Sequence, residues 1–216
     1  YIRGEFDLPY RRLADAVEEA YAAGLFGRNI LGSDFSCDIV VYRGAGAYVA
    51  GEASGLISSL EGKKGYPRNR PPRLTVKGLY QRPTVVNNVE SLSNIAWIIS
   101  NGADAFKAVG TPKSPGTRLF SVSGHINRPG VYEVELGYPW MKFLDEDCGG
   151  VPHGRAIKCV VPGGVSSKVL TGADIANLKL SHEDLWDAGS TLGSGGMIVI
   201  AEGTCMVALL QVLMRL

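Results

Sequence analysis

The stretch that most limits what this chain can fold into is Gly44-Ala-Gly-Ala-Tyr-Val-Ala-Gly-Glu52. It follows the apolar run Ile39-Val-Val-Tyr42, which is short, β-branched and bounded by polar residues, and so predicts a strand. Residues 53–60 carry apolar side chains at helical spacing, with Gly55 as the one breaker, and predict a helix. In a strand, glycine-rich turn and helix, backbone comes close to a ligand and the helix start offers free N–H groups to an anion. The spacing Gly-x-Gly-x-x-x-x-Gly is not the dinucleotide fingerprint, and without a following Gly-Lys-Ser/Thr it is not a P-loop. Spacing alone leaves two readings open: a tight turn that serves geometry only, or one wall of a ligand pocket. Glu52 has two readings as well. The helix dipole favours a carboxylate there by about 0.3–1 kcal/mol, or the carboxylate is a fixed acceptor for an N–H or hydroxyl of a bound cofactor.

The chain is long enough, at 216 residues, for one large or two small cores. A net charge of +1 argues against a dedicated nucleic-acid surface. The one basic cluster, Lys63-Lys64 through Arg68, Arg70 and Arg73, sits in a Pro-rich loop and is either solvated or in contact with phosphates or an acidic partner. Cys37, Cys148, Cys159 and Cys205 form no Cys-x-x-Cys pair, so neither a metal signature nor a disulfide framework is predicted, and isolated buried thiols are expected. No apolar run reaches the roughly 18 residues of a membrane span, and no signal peptide is visible. Tyr1 in place of an initiator Met and an apolar run at residues 205–216 lead us to expect a piece of a longer chain.

In order, residues 1–6 predict the end of a strand and residues 9–25 an amphipathic helix. Leu13, Ala16, Val17, Ala20 and Tyr21 share one face of that helix, and Gly24 is its stop. With residues 38–42 this makes a βαβ-like pattern, the two strands parallel. Residues 61–77 form a long Gly-, Pro- and Arg-rich loop of the kind that usually faces a ligand or partner. A helix is expected from about residue 89 to 100, with Asn87 or Asn88 either capping it or presenting its amide to a ligand. A short helix follows at 103–109, and the Pro/Ser/Gly-rich residues 111–116 suggest a domain boundary. Alternation at 118–123 and 131–136 around Arg128-Pro-Gly130 predicts a hairpin. A helix at 139–146, strands at 157–161 and 197–201, a short helix at 181–188 and a terminal helix complete the pattern. Hairpin, helix, strand is the order of a β-grasp, ubiquitin-like domain. His125, His153 and His182 have no metal-ligand spacing, and surface or capping roles are expected of them.

With Ser59-Leu-Glu-Gly-Lys-Lys-Gly65 and Pro83-Thr-Val-Val-Asn-Asn-Val-Glu90, the opening motif resembles the flavin-carrying, NADH-oxidising subunit of respiratory complex I. It is also similar to the diaphorase subunits of NAD-linked hydrogenases and formate dehydrogenases. Ser123-Gly-His-Ile-Asn-Arg-Pro-Gly-Val-Tyr132, Pro162-Gly-Gly164, Gly193-Ser-Gly-Gly196 and Thr204-Cys-Met206 look like that family's soluble-ligand-binding β-grasp module and its next junction. The resemblance implies an α/β fold in three parts. Residues 1–113 would be the C-terminal part of a Rossmann-like FMN/NADH domain, 114–198 a β-grasp domain, and 199–216 the start of an iron–sulfur-binding helical bundle.

It further implies FMN and NAD(H) as cofactors, and a 4Fe-4S cluster in the full-length protein whose ligands lie outside this chain. Tyr48, Gly51 and Glu52 match the family's flavin loop, Val86, Asn87 and Asn88 its segment beside the flavin, and Arg73 its adenine-holding position. No general base and no metal ligand is implied. Expected partners are NADH and the other components of a redox complex, notably a 2Fe-2S thioredoxin-like subunit. The implied location is cytoplasmic, peripheral to the inner membrane.

Two positions depart from the family pattern. Ala53 stands where a second Glu is usual, and Arg73 where many members carry an aromatic. An Arg stacks on a purine but also suits a phosphate. These departures leave open a subunit that relays electrons or serves structure without taking NADH, or a β-grasp interaction module.

Overall fold

Backbone packing divides the chain, whose computed structural model describes residues 1–215, into two units, Tyr1–Val89 and Glu90–Leu216. In the first, α1 (Asp7–Ala22) stops where its glycine predicts. Gly24 takes φ +70°; its N–H donates to the Tyr21 carbonyl at 3.0 Å and that of Leu25 to the Ala20 carbonyl at 2.9 Å, a Schellman closure. The shared face of α1 expected from its amphipathic pattern is not buried, and none of the helix's residues is. The expected strands at 1–6 and 38–42 shrink to one parallel bridge, Ile2 opposite Arg43. The Ile2 N–H donates to the Tyr42 carbonyl at 2.9 Å and the Gly44 N–H to the Ile2 carbonyl at 2.8 Å. The parallel direction follows the βαβ pattern; the length does not. A β-branched run makes a strand when neighbours cover it, and Val40 is 84% exposed. α2 (Ala53–Leu60) follows a 3-10 turn at Tyr48–Gly51 and buries Ile57 against the chain.

The second unit takes in all but the first residue of α3 (Val89–Asn101) and then α4 (Ala103–Lys107), the two helices divided at Gly102, whose φ of +88° stops the first. The five strands are β1 (Thr117–Gly124), β2 (Gly130–Glu135), β3 (Ile157–Val161), β4 (Leu170–Thr171) and β5 (Gly196–Ala201). They form one sheet of order β2-β1-β5-β3-β4, in which β1 and β5 are parallel and the other pairs antiparallel. The hairpin forms as the alternation predicts, with Phe120 opposite Tyr132. The helix expected at 139–146 is α5 (Trp140–Lys142) running into a π-helical turn, Phe143–Asp147. Trp140, Phe143 and Leu144 are all fully buried. They meet Phe120, Leu170 and Met197 in the main core.

Two elements were not legible from periodicity: β4 and the single-turn α6 (Gly172–Ile175), which Thr171 and Asp174 close with a reciprocal capping box. α7 (His182–Asp187) starts at the Ser181 N-cap. α8 (Met206–Leu213) sets Met206 and Leu209 against Cys159, Val161 and Ile200 on the back of the sheet.

Two glycine-rich motifs are explained by close packing. A Cβ on Gly163 would lie 2.3 Å from the Leu192 carbonyl, and one on Gly193 would lie 2.0 Å from the Gly163 oxygen. The loops at 162–164 and 193–196 therefore cross backbone on backbone. The residues expected to link two domains, 111–116, are themselves folded. Thr111 and Ser114 both donate their hydroxyls to Glu183, and the Gly116 backbone lies directly under the Phe106 ring.

Cys148 and Cys159 are buried as expected, and burial pushes the Cys148 thiol up to about 11. Cys37 is half-buried and Cys205 exposed, correcting the expectation of four buried thiols. Cys205 sits where α8 begins and its thiol pKa is lowered by the Ala208 and Val207 N–H groups. Among the described residues no helix is long and apolar enough to cross a membrane.

Phe143→Ala removes a side chain with 0% exposure and should lower unfolding free energy by about 3–5 kcal/mol. Leu8→Ala on α1, 59% exposed, should cost under about 0.5 kcal/mol. Denaturant midpoints of the two variants check both values.

Candidate functional site

Glu52 sits one position earlier in its helix than the sequence suggests. It is the N-cap of α2, and its Oε2 accepts the N–H groups of Ser54 and Gly55, each at 2.9 Å, and the Ser54 hydroxyl at 2.5 Å. N–H groups that the glycine turn was expected to offer to an anion are thus satisfied within the chain. The other oxygen, Oε1, faces the Arg70 Nη2 at 3.4 Å. The Ser54 hydroxyl above all, then the Gly55 and Ser54 N–H groups and Arg70, hold the Glu52 carboxyl below its usual range, with partial burial opposing. Glu52 is therefore ionised at neutral pH with one oxygen committed and one available.

The glycines of the turn differ in what they do. A Cβ on Gly44 would collide with the Tyr1 ring, 2.1 Å from its hydroxyl, and Gly46 takes φ +84°. Gly55 is pressed between the Val49 and Gly65 carbonyls, each 2.9 Å from where a Cβ would sit. Gly51 is different: it has no left-handed φ and no chain atom within 4 Å of its would-be Cβ. Neither backbone conformation nor internal packing requires glycine at position 51.

Glu61 at the end of α2 was not singled out by the sequence, yet it ties the long loop together. Its side chain is 4% exposed and pairs with Arg68 at 2.8 Å and Lys63 at 2.9 Å, while the Tyr80 N–H donates to its Oε1 at 2.9 Å. The bond from Lys63, then Arg68 and the Tyr80 N–H, bring its pKa down to about 2 against the effect of burial. Tyr80 and Gln81 occupy left-handed backbone, φ +47° and +62°, which costs of order 1–3 kcal/mol each and needs such an anchor. The Arg68 guanidinium also reaches the Ser58 hydroxyl at 3.1 Å, and the Arg68 backbone N–H donates to the Ser54 hydroxyl at 2.8 Å. The signal for this hub lay in the Glu-Gly-Lys-Lys run, where a carboxylate at a helix end precedes a cationic loop.

The folded loop leaves a cavity of about 200 Å³ lined by Ser54, Asn69, Arg70, Pro72, Lys77 and Gln81, among others. Of the expected site residues, Tyr48, Gly51 and Glu52 share one turn, with Tyr48 82% exposed and the Arg3 guanidinium 5.7 Å from its ring centre. Arg73 is exposed on the loop, where its carbonyl accepts the Val76 and Lys77 N–H groups. Val86, Asn87 and Asn88 are exposed on the separate segment entering α3. Ser54 and Glu61 were not singled out from the sequence, whereas Arg70 was read there as part of the basic cluster. In the second unit, His182 lies 3.5 Å from Arg118, and burial and that guanidinium lower its pKa.

Residues 1–97 match the family model described as the Nuo51 FMN-binding domain. The F subunit of the NADH-quinone oxidoreductase of Mycobacterium tuberculosis H37Rv is 48% identical over 207 residues, covering 96% of this chain and 46% of that protein. The HndC component of the NADP-reducing hydrogenase of Solidesulfovibrio fructosivorans is 43% identical over 208 residues, 96% of this chain and 42% of that protein. The crystal structure of an NAD+-reducing NiFe-hydrogenase in the H2-reduced state superposes with a TM-score of 0.83 at 33% identity, covering 99% of this chain and 35% of that one. The chain spans about half the length of the curated relatives it matches. The resemblance read from the motifs holds, and the mixed α/β fold is that of the hydrogenase structure.

The Glu61 hub predicts a pH dependence. Its folded pKa, about 2, is below the ordinary 4.5, so its contribution to stability is complete above the ordinary value and is lost as pH falls from there toward 2. Thermal midpoints taken down this range should fall more steeply for the native sequence than for Glu61→Gln.

Proposed function

We propose, from the match of residues 1–97 to the Nuo51 FMN-binding domain, that the chain is part of a flavoprotein subunit that oxidises NADH. FMN, when bound, would supply the chemistry that takes a hydride and gives up single electrons. The protein's share is to bind and orient, and no side chain of this chain needs to move a proton.

The observation that carries the reading is Gly51. A glycine with ordinary φ and open space at its Cβ leaves the close approach of a flat ligand as its reason. Beside it, Glu52 Oε1 is an ionised acceptor for an N–H or hydroxyl, and Ser54 and the two N–H groups hold its carboxylate in one orientation. Tyr48 offers an exposed aromatic wall on the same turn. Val86, Asn87 and Asn88 would meet the flavin from the second segment, the Asn amides presenting paired donors and acceptors, and Arg73 would meet the adenosine end of NAD(H).

We assign residues 1–113 to a partial Rossmann-like FMN/NADH domain, 114–198 to a β-grasp domain, and 199–216 to the start of a cluster-binding helical bundle. Strand order 2-1-5-3-4 with a parallel β1–β5 pair supports the β-grasp assignment. The full-length protein would pass electrons to quinone or another acceptor through a 4Fe-4S cluster held by residues outside this chain. Its partners would be the other components of a redox complex, including a 2Fe-2S thioredoxin-like one, on the cytoplasmic side of the inner membrane.

Two variants of the full-length protein test the site. Gly51→Ala meets no chain atom, so folding stability should change by under about 1 kcal/mol while FMN affinity falls at least tenfold. Glu52→Gln keeps an oxygen for the cap but loses the charge, and should weaken FMN retention or NADH oxidation with the fold intact. Flavin fluorescence titration and NADH-dependent bleaching read both. Unchanged flavin content and turnover in both variants would sink the assignment. A flavin that NADH leaves oxidised in the native protein would favour an electron-relay role.

A further inference from the structure

Residues of α3, α4 and the β1–β2 hairpin, all within the second unit, line a cavity of about 380 Å³. Small-molecule pockets span roughly 300–1,000 Å³, so this one is large enough for a compact organic ligand. One wall is aromatic. Gly116 takes φ +88°, and a Cβ there would stand 2.4 Å from the Phe106 ring, so the ring lies directly against the backbone. Phe106 seated in this way meets Trp97 with 6.2 Å between ring centres and the planes 58° apart. Trp97 nevertheless keeps 44% of its surface exposed. Val109 adds a further apolar side chain to the lining.

The polar part of the lining is one-sided. The Gly116 N–H donates to the Val109 carbonyl at 2.7 Å, and the Ser93 hydroxyl and Asn94 amide donate to the Glu90 carbonyl at 2.7 and 2.8 Å. The Thr117 hydroxyl donates to Glu133 at 2.6 Å. These bonds use up donors and leave acceptors, namely the amide oxygen of Asn94 and the second carboxylate oxygen of Glu133. Among the described residues Glu133 has no cation within 4.0 Å. A carboxylate beside two aromatic rings is complementary to a positive nitrogen on a hydrocarbon body. The ring faces attract the charge, Trp most strongly, the N–H groups bond to the carboxylate, and the hydrocarbon covers the rings. A neutral ligand would leave the charge of Glu133 unanswered, and an anion would be repelled by it.

We propose that this cavity binds a small organic cation, an ammonium carried on an aromatic or aliphatic body. Glu133 is its counter-ion, and Trp97 and Phe106 are its walls. None of these residues belongs to the segments assigned above to flavin and nucleotide, so the inference stands or falls independently of that reading.

The test uses three probes that share a phenyl ring and differ in charge: phenethylamine, 2-phenylethanol and 3-phenylpropionate. Each is titrated into the full-length protein by calorimetry. The amine should bind at least about tenfold more tightly than the alcohol, and the propionate most weakly. Glu133→Gln keeps an oxygen for the Thr117 hydroxyl and should bring amine and alcohol to nearly equal affinity. Trp97→Leu should weaken the amine several-fold. Thermal midpoints confirm that each variant is folded. Should Trp97→Leu prove unstable, Glu133→Gln, at an exposed strand position, decides the matter alone. Equal affinities for the three probes in the native protein overturn the proposal. So does a preference for the amine that survives Glu133→Gln, and so does the absence of any heat with millimolar amine.

Discussion

The first unit depends on the two ends of α2 being closed by carboxylates of the chain itself. Glu52 caps the N-terminus through two backbone N–H groups and a hydroxyl, and Glu61 at the C-terminus gathers Lys63, Arg68 and the Tyr80 N–H. Eight residues are too few for a stable helix in isolation, and few side chains in this unit are buried besides Ile57 and Ala50. Hydrogen bonds to ionised groups are about twice as strong as neutral ones. They hold the glycine turn and the 61–82 loop in register where apolar packing is thin. Charge therefore does in the first unit what the Phe120–Trp140–Phe143 core does in the second.

That contrast explains how much of the fold was legible in the sequence. In the second unit the hairpin, β3, β5 and α7 lie within a residue or two of their predicted limits, because each buries a patterned face in a core the same segment helps to build. In the first unit the run Ile39-Val-Val-Tyr42 has strand composition, but it is exposed and pairs through one bridge. β-propensity reports fit to a half-buried pleated surface, and this run has no such surface. β4 and α6 were invisible because two strand residues and one helical turn are too short to show a period; the Thr171–Asp174 capping box was their one local mark.

Glycine motifs were legible as positions but not as roles. Gly163, Gly193, Gly44 and Gly55 all prove to be places where backbone meets backbone or a ring, and in sequence they look no different from Gly51. What separates Gly51 is negative evidence that needs coordinates: an ordinary φ and open space. The same holds for the acids. Glu52 was noticed because it follows the turn, whereas Glu61 passed as an ordinary loop residue, though it is the more buried of the two and the more perturbed. Hydrogen-bond partners as far as 19 residues away, such as Tyr80 for Glu61, leave no periodic trace.

The division of charge between the two carboxylates also bears on what the loop can bind. Glu61 is saturated by its own neighbours and almost shielded from water, so it cannot discharge the cations beyond Arg68. Glu52 spends one oxygen on the helix cap and meets Arg70 only at long range. Among the described residues Arg73 and Lys77 have no carboxylate within 4.0 Å, so no ion pair within the chain answers their charge. Exposed charges are screened beyond about 10 Å in ordinary salt, so the pull of these two cations is confined to groups that come close to the loop itself.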